Sequence, residues 1–504
     1  MIFVTYFEVI VLTVLVLLLI LLFVQLYQIG RLRVDIEKLK DNVNNNKKSE
    51  FPASSHQSEL TKPNVTVAQT SQFSVQTSDS QGQIHPTSGQ NNHSGSQYGD
   101  DTIKQRESGS TKKQEVMKAI LNRKEVEEND LPIVIKELSS HFSKYSIGRW
   151  AENLNDHSYC RLVDLRKESS TRVVVIGDIH CDYYSLAAIL LKLSIAQYDY
   201  FGKAYFVFLG DYLDRGTCLF EPLLLLKDLK EILGNRMIML RGNHESVSYD
   251  AENRALKASV RPNDSCECLN QYCGDAPEFL RAFSEYYRKL PTYVYLKTQE
   301  KNILLTHASI PRDIFLHSFR FDETDGHIRF EATIPESERL AKRKAILKDM
   351  IWGDPKDYDE KMQIEGRFEF GRKQFEKFHT HNHIDLILRS HEDASLGYKA
   401  FFANRLYTIF STGGDKNPHT GYPETEPAFA VIHGNALTIE NSFLYQCLEG
   451  GNRWAVNLFS NQKYCGRDAG GYQLSEEFIC KAEVREQQRK IFNKIKAAFL
   501  SDTI

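Results

Sequence analysis

Short apolar runs recur along the middle of this chain, and five of them stop abruptly at polar residues. Arg172–Ile176 leads into Gly177-Asp178-Ile179-His180, and Ala204–Leu209 leads into Gly210-Asp211-Tyr212-Leu213-Asp214-Arg215-Gly216. Met237–Leu240 leads into Arg241-Gly242-Asn243-His244-Glu245, Ile303–Leu305 into Thr306-His307-Ala308, and Leu386–Leu388 into Arg389-Ser390-His391-Glu392. Runs this short and without polar alternation predict strands covered on both faces. Polar residues just past such strands predict a site along the edge of an α/β sheet.

The N-terminal pattern is different. Val9–Gly30 carries no charged side chain and is mostly Leu, Val and Ile. At about 1.5 Å per residue this run can cross a hydrocarbon core of about 30 Å. Glu8 without an early Lys or Arg, and no small-residue cleavage site, argue against a signal peptide. Arg31, Arg33, Lys38, Lys40, Lys47 and Lys48 all follow the run, and none precedes it. This asymmetry predicts a single-pass membrane protein whose C-terminal part is cytosolic. Ile29, Leu32, Ile36, Leu39 and Val43 have heptad spacing, readable as a weak homodimer contact through residues 29–43 or as an amphipathic stalk on the bilayer.

From Asp41 to Gln114 the chain is rich in Ser, Asn, Gln, Thr and Gly, and reads as a flexible tether. Two sequons, Asn64-Val65-Thr66 and Asn92-His93-Ser94, would be silent on a cytosolic tether. Helical periodicity resumes near Glu115 and predicts helices over 115–170 that pack on the domain following them. Leu474–Leu500 mixes Phe478, Ile479, Val484, Ile491, Ile495 and Phe499 with charges, the pattern of an amphipathic helix that docks on the domain or binds a partner, with docking favoured.

Composition narrows the picture. The 504 residues suffice for two to four structural units and a sizeable core. A formal charge of −3 gives no basic face, so no nucleic-acid partner is expected. Nine cysteines, all between Cys160 and Cys480, are an odd number and do not form a disulfide framework pattern. Cys266, Cys268 and Cys273 lack paired Cys-x-x-Cys spacing, so a loop with buried or free thiols is expected there in preference to a zinc knuckle.

The residues that end the five runs are Asp178, His180, Asp211, Asn243, His307 and His391, a mixed oxygen and nitrogen set suited to Mn, Fe or Zn better than Ca. Asp211, with two carboxylate oxygens, can bridge two ions. Two ions about 3.5–4 Å apart can clamp the attacking and leaving oxygens of a phosphoryl transfer. Arg215 and Arg389 can fork onto phosphate oxygens. A His held by an Asp can keep a proton for a leaving alkoxide, a role open to His244 beside Asn243 and to Asp214 between Asp211 and Arg215.

Gly177–His180, Gly210–Gly216 and Arg241–Glu245 resemble the three signatures of the phosphoprotein phosphatase (PPP) family, within the calcineurin-like metallophosphoesterase superfamily. Trp352–Pro355, Gly366–Gly371 and Leu388–His391 resemble its later motifs, so the resemblance covers roughly residues 130–445. It implies an α/β fold, a calcineurin-like β-sandwich of two mixed sheets flanked by helices, here preceded by one transmembrane helix. It implies a metal-dependent serine/threonine protein phosphatase acting on phosphoprotein substrates. By the match Asp178, His180 and Asp211 would hold one ion, and Asp211, Asn243, His307 and His391 the other. Arg215 and Arg389 would bind phosphate, and His244 with Asp214 would protonate the leaving group. The expected organisation is an anchor at 1–30, a stalk and tether at 31–114, a helical lead-in at 115–170, the catalytic domain at 171–445 and a helical tail at 446–504.

The chain departs from the family pattern at several places. Cys181 replaces a Gly, Ala308-Ser309 a Gly pair, and Glu392 a Gln, while Thr412–His419 stands where the familiar active-site loop would be. None of these removes a metal ligand or either Arg. Glu392 and Asp393 are expected to make the site less welcoming to acidic substrates. The motifs read the phosphoryl group and not what carries it, so a dinucleoside polyphosphate or another small phosphoester is the rival substrate. The insertions at 261–276 and 312–348 favour a protein. A catalytically dead phosphoprotein-binding scaffold is a third reading, opposed by the presence of all six ligands.

Overall fold

The computed structural model describes residues 111–147, 159–216, 218–357, 368–413 and 425–442, with 486, 489–497 and 499–500 near the C-terminus. The expected anchor at 1–30, the heptad run at 29–43 and both sequons lie outside these residues. Among the described residues no helix is long and apolar enough to cross a membrane.

Two mixed sheets carry the fold. The first has five strands in the order Ala436–Asn441, Ala428–His433, Arg172–Ile176, Tyr205–Phe208 and Met237–Met239, the last three parallel. The second has six, in the order Cys160–Asp164, Tyr293–Lys297, Asn302–Thr306, Leu386–Arg389, Leu406–Ile409 and Tyr398–Phe401. Its Asn302–Thr306, Leu386–Arg389 and Leu406–Ile409 strands run parallel, with Leu305 opposite Leu388.

The strands alternate, but between two buried faces. Val173, Val175, Val207 and Leu209 of the first sheet share an inner layer with Val294, Leu296, Ile303, Leu305, Leu388 and Ile409 of the second. Their neighbours Val174, Ile176, Phe206 and Phe208 turn outward onto the helices Tyr183–Ile195, Phe220–Leu233 and Pro277–Arg288. On the other flank Tyr293, Tyr295, Leu304 and Ile387 meet Ile346 of the helix Glu336–Asp349, and Phe375 and Phe378 of the helix Arg372–Asn382. With both faces dry, no strand position favours a polar residue, hence unbroken apolar runs. Each buried Val, Leu or Ile contributes about 1.5–3 kcal/mol.

Three segments differ from the sequence expectations. The helix at 111–121 begins inside the last residues assigned to the tether. The stretch 115–170, expected to be helical, holds the helix Leu131–Ile147 but also the strand Cys160–Asp164. That strand lies at the sheet edge with one neighbour, so its Cys-Arg-Leu-Val-Asp sequence carries polar residues and no apolar run. The cysteine-containing insertion is the helix Asp264–Cys273 in place of a loop, with Cys266, Leu269 and Cys273 buried at helical spacing. Its three cysteines form no disulfide. In the tail, Phe492 and Ile495 are buried in the helical layer, and the Phe492 ring lies 5.9 Å from Tyr183 and 5.7 Å from Tyr184. The described part of the tail docks here.

Candidate metal centre

All five motif loops leave the C-terminal ends of parallel strands in the two facing sheets. Close approach of those ends needs missing side chains. A Cβ on Gly177 would sit 2.1 Å from the Ile409 carbonyl oxygen of the opposite sheet, and one on Gly242 would sit 2.2 Å from Asp211 Oδ1. The loops also turn sharply. His180, Asp211, Asp214, Arg215 and His391 all have φ between 42° and 74°, a left-handed conformation that costs a non-glycine residue about 1–3 kcal/mol. Backbone strain of this kind gathers where side-chain direction matters more than stability.

Asp211 is the hub. His180, Asp211 and His244 place ligand atoms within 4.8 Å of one another, and so do Asp211, His307 and His391. Asp178 joins the first group, with its Oδ2 3.7 Å from His180 Nε2, while Asp211 Oδ2 is 3.6 Å from the same nitrogen. Asn243 joins the second, its Oδ1 lying 3.0 Å from both His307 Nε2 and His391 Nδ1. All six expected ligands therefore converge.

The donor set fits cations. Nδ1 of His180 lies 2.8 Å from the Leu213 carbonyl oxygen and Nδ1 of His307 lies 3.0 Å from that of Leu209. Each of these nitrogens donates to its carbonyl, which leaves the lone pair on Nε2, facing inward. Nε2 of His307, Nδ1 of His391, Oδ1 of Asn243 and the Asp211 carboxylate thus crowd together as potential electron-pair donors. A cation at the centre would use all of these donors; without one, protonated imidazoles or an Asn243 amide turned over, its NH₂ donating to His307, His391 and Asp211, would hold the cluster together. Asp178 Oδ2 is buried without a hydrogen-bond partner, and an orphaned buried carboxylate oxygen is costly unless an ion meets it.

The electrostatics agree. Burial, then the neighbouring Asp211, push the Asp178 carboxyl up to about 6. Burial opposes the charge on His307, yet Asp211 and Asp178 outweigh it and raise the ring to about 9. A cluster that draws protons onto both a carboxylate and an imidazole is one short of positive charge. His180, buried beside His244 and Arg215, is driven well below its ordinary value, and a neutral ring is the form that ligates.

His244 is held differently. Its Nδ1 lies 2.7 Å from Asp214 Oδ2. Burial disfavours its charge, but Asp211 and the Asp214 bond reverse the balance and raise its pKa. Distance alone would admit His244 as a ligand beside His180 and Asp211. A carboxylate behind an imidazole serves a ligand or a proton donor equally well.

The two arginines are not equivalent. Arg215 is half-buried, on the loop after Asp214. Arg389 is fully buried, and its guanidinium meets Ala308, Thr408, Gly353, Asp354 and Glu392.

Sequence reasoning left several positioning residues without a role. Glu245 accepts the backbone N–H groups of Asp211, Tyr212 and Gly242, pinning the second motif to the third. Ser265 holds Asp214 from both sides: its N–H donates to Asp214 Oδ1 at 2.8 Å and its Oγ accepts from Asp214 N–H at 2.7 Å. Ser390 Oγ accepts from Asp178 N–H and donates to the Ile409 carbonyl. Glu245 and Ser390 sit inside motifs already singled out. Nothing in the sequence pointed to Ser265, which comes from the insertion.

Residues 171–394 match the family described as calcineurin-like phosphoesterase. Among curated relatives, a probable serine/threonine-protein phosphatase of Encephalitozoon cuniculi is 28% identical over 257 residues, 50% of this chain and 50% of the relative. The serine/threonine-protein phosphatase 6 catalytic subunit of Caenorhabditis elegans is 28% identical over 246 residues, 48% of this chain and 65% of the relative. The chain thus spans about half the length of the first relative and just under two thirds of the second. Among solved structures, a Saccharomyces cerevisiae protein serine/threonine phosphatase with similarity to human phosphatase PP5 aligns over 63% of this chain and 90% of its own, with 19% identity and a TM-score of 0.44. With its motif loops gathered at the strand ends of two facing sheets, this chain carries a calcineurin-like phosphoesterase domain.

Proposed function

We propose that this protein is a metal-dependent serine/threonine protein phosphatase that hydrolyses phosphomonoesters, held at the cytosolic face of a membrane by residues 9–30. The observation that carries the catalytic part is the convergence of ligand-type atoms from Asn243, His307 and His391 around Asp211, which also faces His180.

In this reading Asp178, His180 and Asp211 hold one cation, and Asp211, Asn243, His307 and His391 hold a second. Mn, Fe or Zn suit these donors. Such cations acidify a water and screen phosphoryl charge. Arg215 and Arg389 orient the phosphoryl oxygens. His244, charged and aimed by Asp214, gives its proton to the departing alkoxide, and Ser265 keeps Asp214 in line. The names of the relatives and the surface added by 312–348 support protein substrates. The uncharged run Val9–Gly30 with its basic C-terminal flank supports the anchor.

The test is a panel of phosphoserine peptide, phosphothreonine peptide and dinucleoside tetraphosphate, assayed with Mn²⁺. Turnover of the peptides that depends on added metal is expected. Turnover of the dinucleotide alone would overturn the substrate assignment, and none with any phosphoester would overturn the enzyme.

A further inference from the structure

We propose that Glu392 is a resident anion on Arg389 which a substrate's phosphoryl group must displace, making Glu392 a specificity-determining residue that favours dianionic phosphomonoesters. The inference rests on the reading of Arg389 as a phosphate-binding residue.

A guanidinium has five N–H bonds to give, and in Arg389 every one is engaged. Nε donates to the Ala308 carbonyl. Nη1 donates to Glu392 Oε2 at 3.1 Å and to Thr408 Oγ1 at 3.3 Å. Nη2 donates to the Gly353 carbonyl at 3.0 Å and to Asp354 Oδ1 at 3.0 Å. The group has no exposed surface. An incoming phosphate can bond to Arg389 only by replacing one of these partners.

Four of the five are poorly placed to leave. Ala308 and Gly353 contribute backbone carbonyls. Thr408 lies in the strand Leu406–Ile409 and Asp354 opens the short strand Asp354–Pro355, and both are buried. Glu392 is the exception, with 26% of its side chain exposed on the loop past His391. It also has somewhere to go. Its other oxygen, Oε1, lies 3.4 Å from Lys356 Nζ, an ammonium that is itself partly exposed and 3.5 Å from Glu369.

Anion exchange differs from anion capture. A buried guanidinium that already faces a carboxylate gains little by accepting a second weak anion in its place. A phosphomonoester dianion, with three strong acceptor oxygens, can outcompete a single carboxylate. A monoanionic diester or a carboxylate cannot do so as readily. A neutral Gln at 392 would keep the shape and one acceptor while removing the competing charge.

The experiment measures KM and kcat for p-nitrophenyl phosphate and the inhibition constant of inorganic phosphate, with Mn²⁺, for the full chain and for Glu392→Gln, Lys356→Met and the double variant. Phosphate binding is measured in parallel by calorimetry. Glu392→Gln is expected to lower KM and the phosphate constant about tenfold, the scale of one charge-assisted hydrogen bond, with a smaller change in kcat. Lys356→Met should raise KM in the native background and leave it unchanged beside Glu392→Gln. An unchanged or weaker phosphate affinity in Glu392→Gln, at native metal content, overturns the proposal. Equal effects of Lys356→Met in both backgrounds overturn the part given to Lys356. Absence of turnover in every form would sink the phosphatase reading, and the calorimetric comparison would still decide the role of Glu392.

Discussion

Asp211 carries more of this site than any other residue, because its two oxygens face both ligand groups and also accept the His244 backbone N–H. Asp211→Asn is expected to remove activity and metal together, read by metal analysis beside turnover. His244→Asn should keep the metals while turnover falls about 10²–10⁴-fold, the usual cost of losing a general acid. A metal-free His244→Asn protein would instead make His244 a ligand. Protons and cations compete for the same atoms. His307 at about 9 and Asp178 at about 6 are both raised, so both hold protons as pH falls. Metal affinity should therefore drop below pH 9 and more steeply below pH 6, with protons released on binding. Titration calorimetry in buffers of different ionisation enthalpy reads that release, and a pH-independent affinity would refute the assignment. Ser265→Ala removes one of two bonds to Asp214, and its loss in turnover should be larger for alkyl than for p-nitrophenyl phosphate, since a good leaving group needs no acid.

At the level of elements, the site depends on how closely two sheets pack. Leu305 is fully buried in the layer between them, and Leu305→Ala should cost about 2–5 kcal/mol in denaturant unfolding. The expected cause is a cavity in the layer that spaces the ligand loops. The tail offers a separate test. Phe492→Ala should free the helix around it from Tyr183 and Tyr184, exposing it to limited proteolysis while the metal site stays filled. Five apolar runs with their terminal ligands were legible because a strand dry on both faces has no polar position to obscure it. The edge strand Cys160–Asp164 was not legible, since a strand with a single neighbour keeps polar residues.

For the whole molecule, the proposed anchor makes a prediction of its own. Protease added outside intact cells should spare everything past residue 50, and cleavage of the domain from outside would reverse the orientation. Its basis is the charge asymmetry around Val9–Gly30, a one-dimensional property that needs no tertiary contact.

The same distinction separates the rest. The candidate ligands, their order and the strands that present them were legible in the sequence, because each is a local pattern of apolar run, Gly and polar residue. Tertiary structure alone decided that Ser265 of the insertion grips Asp214, and that Arg389 is enclosed by Gly353, Asp354 and Thr408. Those relations join residues about 20 to 50 positions apart, and they follow from how the sheets stack and how tightly their ends meet. No local pattern encodes them.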